Sequence, residues 1–359
     1  MPLYLFPICL AVALVLGLML TALARRVAPR LGLVDRPKSE GHKNHKSATP
    51  VAGGMAMWAA FTLTVVGGLI ATQFVASDAL NNALSGLHSV GWQLACLWAC
   101  ATALMAMGLR DDHHAMKAGA KFAWQFVVAA VTACIGIRLM PGTLPLALSW
   151  VLTVLWIATV INAINFFDNM DGLAGGTGAI AFFFLALVAI LHEQYFVGMF
   201  NCAALGAVLG FLYFNRAPAR IFMGDSGSHF LGYLLAVSSI LTSYYRPATA
   251  PTFLPVLIPV FILAIPLIDA LTVIIIRIRL HKPVYIGDNR HISHRFTQIG
   301  LSRPQAVMVI WLLSFVAGAG ALALLWLPPF GAALILAQIL AMMAMVLTIQ
   351  FCARHESTE

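Results

Sequence analysis

The chain has 359 residues, of which 61% are hydrophobic and only 9% charged, with a formal net charge of +8. A soluble domain carries roughly 25% charged residues, so this composition excludes a globule covered on all sides by water. In a chain so apolar, excess Lys and Arg report topology and anionic headgroups, and no nucleic-acid partner is expected.

Eleven apolar runs follow one another at approximately 3–24, 51–75, 90–109, 122–140, 144–164, 173–192, 196–214, 229–245, 253–276, 304–326 and 329–352. Each is close to the roughly 20 residues that cross a hydrocarbon core as a helix. The fold expected is an all-α polytopic membrane protein, one integral membrane domain over 1–359. The first run has no basic leader and no small-residue cleavage site, so it reads as a retained span. Five polar connections separate the runs, at 25–50, 110–121, 165–172, 215–228 and 277–303. Of the 21 Lys and Arg, all except Arg138 and Arg246 fall in these loops or in the C-terminal tail. That bias puts the loops and the C-terminus in the cytoplasm and the N-terminus outside. The six cysteines lie within apolar runs, and neither a disulfide framework nor a zinc site is expected.

Only 13 residues are acidic, so each location is informative. Asp111 and Asp112, Asp168 and Asp171, and Asp225 fall in three polar segments on the same predicted face. Carboxylates at a hydrocarbon boundary are costly without a partner. Their convergence suits a hard cation such as Mg²⁺, which keeps some of its waters and commonly binds substrate phosphates too. In Asn165-Phe-Phe-Asp168-Asn-Met-Asp171-Gly172 the polar residues recur every third position, which on a helix lines them along one face. Asp111 and Asp112 are adjacent, point about 100° apart on a helix, and are not expected to share one role; by itself the pair also fits a cap or a solvated turn.

Small residues flank the single acid in Phe222-Met-Gly224-Asp225-Ser-Gly-Ser228. Backbone amides there would approach phosphate oxygens while Asp225 holds a metal. The segment Asp288-Asn-Arg-His291-Ile-Ser293-His294-Arg295 is a cationic patch suited to a diphosphate, and Lys46 and Lys121 add phosphate-seeking charges. Asp269 follows Pro266 inside an apolar run. A buried structural hydrogen bond and a role at a lipid phosphate or helix break both fit it.

In these strings the chain resembles the polyprenyl-phosphate N-acetylhexosamine-1-phosphate transferases, glycosyltransferase family 4. The matching strings are Lys46-Ser-Ala-Thr-Pro-Val-Ala-Gly-Gly54, Asp111-Asp112, Lys121-Phe-Ala-Trp-Gln125, Asn165 to Gly176, Phe222 to Ser228, and His291-Ile-Ser-His294-Arg295. The resemblance implies Mg²⁺-dependent transfer of N-acetylhexosamine-1-phosphate from a UDP-sugar to undecaprenyl phosphate. UMP is released, and a lipid-linked cell-envelope glycan, such as the O-antigen of a lipopolysaccharide, is begun. Mn²⁺ is the expected substitute metal, and a homodimer is admitted. The location implied is the bacterial inner membrane, with the active site facing the cytoplasm.

The resemblance also implies roles. Asp225 would be the principal metal ligand, with Asp112 beside it. Asp111 and Asp112 would face the lipid phosphate, and Asp168 and Asp171 would be catalytic. The nucleotide-sugar would be held by Asn165, Asp168, Asp171, Gly224 and Ser228, with Phe222 stacking on the uracil. Lys46, Lys121, His291, His294 and Arg295 would hold phosphates. Ser293 stands where relatives that use GlcNAc carry a histidine, and no triple-histidine run is present. The missing run argues against the MurNAc-pentapeptide donor of peptidoglycan synthesis and leaves GlcNAc and other N-acetylhexosamines open, with UDP-GlcNAc the first choice. A membrane transporter is the rival of another class, and the crowding of acids on one face, away from the bilayer midplane, speaks against it.

Overall fold

The computed structural model describes residues 3–35, 48–71, 74, 78–245, 251–281 and 290–352, without the side chains of 78–89 and 349–352. Its helices are α1 (Leu5–Val27), α2 (Gly53–Ala71), α3 (Asp78–His113), α4 (Ala118–Cys134), α5 (Leu146–Phe167), α6 (Leu173–Leu191) and α7 (Tyr195–Asn215). After these come α8 (Gly224–Leu241), α9 (Ile258–Ile262), α10 (Ala264–Arg279), α11 (Ile292–Gln298), α12 (Arg303–Ala323) and α13 (Pro329–Cys352). One two-stranded antiparallel sheet joins β1 (Val34–Asp35) to β2 (Thr49–Pro50), with Val34 opposite Pro50 and Asp35 opposite Thr49.

Among the described residues, eight helices are long and apolar enough to cross a membrane. A ninth span results if α9 and α10, bent by 69° at Leu263, are counted as one. This is a polytopic membrane architecture with fewer qualifying helices than the eleven runs expected. Two runs make the difference. Helix α4 has only 17 residues, and α8 opens on Asp225, Ser226, Ser228 and His229, which lower its hydropathy.

That polar opening is affordable because α8 is the hub of the fold. Every residue from Ser226 to Ser239 is buried, with α2, α3 and α5 packed around the helix. Its polar side chains find partners inside the bundle, as they must away from water. Tyr233 shares a 2.8 Å hydrogen bond with Thr132 of α4, Trp156 of α5 donates to Ser239 at 2.8 Å, and Ser238 donates to Asn201 of α7. Absent side chains set the close approach at its N-terminal end. A Cβ on Gly108 would lie 2.4 Å from the Asp225 carbonyl oxygen, and one on Gly54 would lie 2.3 Å from the Gly227 nitrogen. Small residues at helix crossings let backbones meet where hydrophobic driving force between helices is weak.

Candidate active site

The first turn of α8 is also where the polar segments converge. Met223 and Gly224 follow an extended stretch in which the Phe222 amide donates to the Pro50 carbonyl at 2.8 Å. Gly53 and Gly54 return bonds to Phe222 and Met223 at 3.0 and 3.1 Å. Gly224 has φ +71°, a left-handed conformation that costs glycine little, and a Cβ there would sit 2.6 Å from an Asp112 carboxylate oxygen. Asp112, at the end of α3, accepts the amides of Asp225 at 2.7 Å and Ser226 at 3.1 Å. It therefore caps α8 from another helix, satisfying donors that a helix start leaves open. The amides expected to approach phosphate oxygens are thus already taken by this carboxylate.

Asp225 itself points the other way. Its Oδ2 receives Lys121 Nζ at 2.8 Å and its Oδ1 receives Asn165 Nδ2 at 3.1 Å. Asn165 also donates to Ser228 Oγ at 2.8 Å. Lys121 bridges to Asp111 as well, whose second oxygen accepts the Met116 amide at 2.6 Å. The adjacent acids thus have different partners, as their angular separation on α3 leads one to expect.

The expectation that Asn165, Asp168 and Asp171 share one helical face is overturned. Helix α5 ends at Phe167, with Asp168 as its C-cap at ψ 56°. The chain turns through Asn169, Met170 and Asp171, and Gly172, at φ +76°, starts α6. The reason is tertiary: Asn215 of α7 accepts the Gly172 amide at 3.0 Å and donates to the Ile221 carbonyl at 2.8 Å. Asp171 accepts the Ala219 amide at 2.9 Å. The turn is therefore fastened to the α7–α8 connection, and both acids still reach the same cavity.

That cavity has a volume of about 450 Å³. Its walls carry Asp112, Asn165, Asp168, Asp171, Phe222, Gly224 and Asp225, together with Asp35, Asn169 and Asn215. Asp111, Lys121, Ser228, His291, His294 and Arg295 do not line it. Lys46 lies outside the described residues. Asp35, Asn169 and Asn215 were not singled out from the sequence. Asn215 had a visible signal, a polar residue closing an apolar run, whereas Asp35 looked like one acid in a basic loop.

Asp168 is the conspicuous charge of the cavity. Among the described residues its carboxylate has no hydrogen-bond partner. Burial, followed by the nearby charges of Asp225, Asp112 and Asp171, pushes its pKa up to about 7. Crowded carboxylates of this kind call for a counter-cation. Among the described residues no three His, Cys, Asp or Glu side chains are grouped as a preformed metal centre. The donor set nonetheless fits Mg²⁺, which is commonly held by one or two carboxylates, with water and substrate phosphate completing its shell.

The segment from His291 to Arg295 sits elsewhere. It begins α11, and His291, Ser293 and Arg295 are buried. His291 Nδ1 lies 2.7 Å from Asp269 Oδ2, and Asp269 Oδ1 accepts the Ile292 amide at 2.7 Å. Of the two roles open to Asp269, the buried hydrogen bond is the one present. Ser293 donates to Asn169 Oδ1 at 2.5 Å, so α11 reaches the cavity through its wall.

Comparison with known proteins places this geometry in context. Residues 94–243 match the model described as Glycosyl transferase family 4. A probable undecaprenyl-phosphate N-acetylglucosaminyl 1-phosphate transferase of Bacillus subtilis is 32% identical over 331 residues, covering 89% of this chain and 86% of that protein. A decaprenyl-phosphate N-acetylglucosaminephosphotransferase of Mycobacterium tuberculosis is 30% identical, covering 86% of this chain and 80% of its own length. A phospho-N-acetylmuramoyl-pentapeptide-transferase of Bacillus mycoides is 32% identical, but over only 57% of this chain.

Proposed function

The chain belongs to glycosyl transferase family 4, and from that premise we propose that it transfers N-acetylglucosamine-1-phosphate from UDP-GlcNAc to a polyprenyl phosphate, releasing UMP. The observation that carries this reading is the single cavity whose walls hold Asp112, Asp168, Asp171 and Asp225 at the polar ends of apolar helices. A water-soluble donor enters such a cavity from the cytosol, and a lipid phosphate enters it from the membrane edge. The relatives covered over 80% or more of their length are named as transferases of N-acetylglucosamine phosphate, which supports the donor. The lopsided Lys and Arg distribution supports eleven crossings, a cytoplasmic C-terminus and a bacterial inner-membrane site facing the cytoplasm. The product would begin a cell-envelope glycan.

The reaction joins a phosphate oxygen of the lipid to the β-phosphorus of the donor and breaks the bond from that phosphorus to the oxygen bridging it to the α-phosphorus. A phosphate monoester loses its second proton near pH ~6, so the attacking lipid phosphate is already largely dianionic and needs no strong base. Positioning and charge neutralisation then supply most of the rate. Asp168 and Asp225 would hold Mg²⁺, which when bound neutralises the diphosphate and its leaving oxygen. Lys121 and Asn165 orient the Asp225 carboxylate. Asp112 fixes the start of α8, and Asp171 fixes the loop at Ala219. Phe222 is on the cavity wall, where it would stack on the uracil.

Purified protein supplied with undecaprenyl phosphate, Mg²⁺ and a panel of UDP-sugars should release UMP with UDP-GlcNAc as the best donor. Efficient turnover of UDP-MurNAc-pentapeptide would instead move the chain to peptidoglycan synthesis.

A further inference from the structure

A second cavity lies on the same face as the first, in the connection between α7 and α8. Its volume is about 310 Å³, and it is lined by Tyr213, Arg216, Ala217, Pro218 and Arg220. The connection is tightly built: the Arg216 amide closes on Leu212 at 2.9 Å and the Arg220 amide on Phe214 at 2.8 Å. These bonds bring two guanidinium groups four residues apart in sequence to one cleft. The Arg216 guanidinium carbon lies 5.0 Å from the Tyr213 ring centre, an arrangement that holds a cation over an aromatic face. Among the described residues, neither Arg216 nor Arg220 has a carboxylate partner. Within the described residues, the charge of the cleft is therefore uncompensated.

Its position identifies the counter-charge. Tyr213 is 50% exposed at the end of a membrane-spanning helix, where aromatic side chains mark the headgroup level. One residue along, Arg25 from the end of α1 stands 5.0 Å over the Phe214 ring, and Arg26 adds charge in the same last turn of α1. A basic cleft at the cytoplasmic end of packed helices, with an aromatic wall, matches the chemistry of an anionic lipid headgroup. Arginine suits phosphate because its planar fork binds two oxygens at once. The chain links this cleft to the first cavity, since the Ala219 amide between Pro218 and Arg220 donates to Asp171, which lines that cavity.

We propose that this cleft binds the phosphate group of an anionic phospholipid, and that it does so apart from the donor and acceptor sites. The test is a binding measurement, so its outcome does not depend on the transferase reading. Full-length protein is titrated with short-chain phosphatidylglycerol, short-chain phosphatidylcholine and inorganic phosphate, for the wild type and for the Arg216→Gln/Arg220→Gln double variant. Bound lipid is counted by native mass spectrometry. Arg138→Gln, whose arginine is predicted on the opposite face, serves as the charge control. The proposal expects the wild type to hold phosphatidylglycerol at least about tenfold more tightly than phosphatidylcholine, the double variant to lose that preference, and Arg138→Gln to keep it. Equal retention of phosphatidylglycerol by wild type and double variant would overturn it. So would inorganic phosphate binding as tightly as phosphatidylglycerol, which would make the ligand a soluble anion.

Discussion

Asp225 and Asp112 are equally acidic on paper and differently employed in the fold. Asp112 spends both oxygens on the amides that open α8, whereas Asp225 turns its oxygens toward Lys121, Asn165 and the cavity. Asp225→Asn should therefore leave the fold intact, since the amide is nearly isosteric, and lower Mg²⁺-dependent turnover by on the order of 100-fold or more. Turnover close to wild type at ordinary Mg²⁺ would remove Asp225 from the metal site. Asp168 gives a pH signature. Its pKa of about 7 lies above the ordinary 3.8, so the folded metal-free protein binds the extra proton, and stability falls as pH rises through that window. A bound cation favours the charged form, and so the stabilisation by Mg²⁺ should grow between about pH 5.5 and 7.5 and then level off. Thermal unfolding with and without Mg²⁺ checks this, and Asp168→Asn should flatten the profile. The acids themselves were legible from their scarcity and spacing. Their division of labour was not, because it depends on which amides a distant helix presents.

At the scale of elements, the site depends on how closely α2 and α3 approach the start of α8. Gly108 meets α8 backbone, not a movable side chain, so its Cβ cannot be accommodated by a rotamer change. Gly108→Ala should destabilise the protein by about 1–3 kcal/mol and depress transfer by displacing Asp112 and Asp225 together. Gly67→Ala, with nothing within 4 Å of its Cβ, should leave both unchanged. Comparable unfolding temperatures for the two variants would show that the close approach is not needed. The apolar runs gave each of these helices in the sequence, yet nothing in a run reveals which glycine meets which backbone. The turn at Asp168 was hidden for the same reason. Its every-third spacing fits a helix, and only the bonds from Asn215 and Asp171 to other segments end the helix at Phe167. Likewise the basic segment around His291 reads as a surface patch until Asp269, 22 positions away, draws it inward.

For the whole molecule, the orientation proposed from the charge bias would put the cavity on the cytoplasmic side. Ser293 is fully buried and would report nothing to an aqueous reagent, but Lys117 and Glu193 are exposed on connections at opposite ends of the bundle. In intact cells Glu193→Cys should react with an impermeant thiol reagent and Lys117→Cys should not, until the membrane is opened. Labelling of Lys117→Cys from outside would reverse the orientation and remove a cytosolic nucleotide from the reaction. The central claim is that the sugar moves together with its phosphate, and one measurement addresses it most directly. Purified enzyme is given undecaprenyl phosphate and UDP-GlcNAc labelled in its β-phosphate, and the label is followed. The account predicts that label passes into the lipid product while unlabelled UMP accumulates. Label released as UDP, with sugar alone on the lipid, would contradict it.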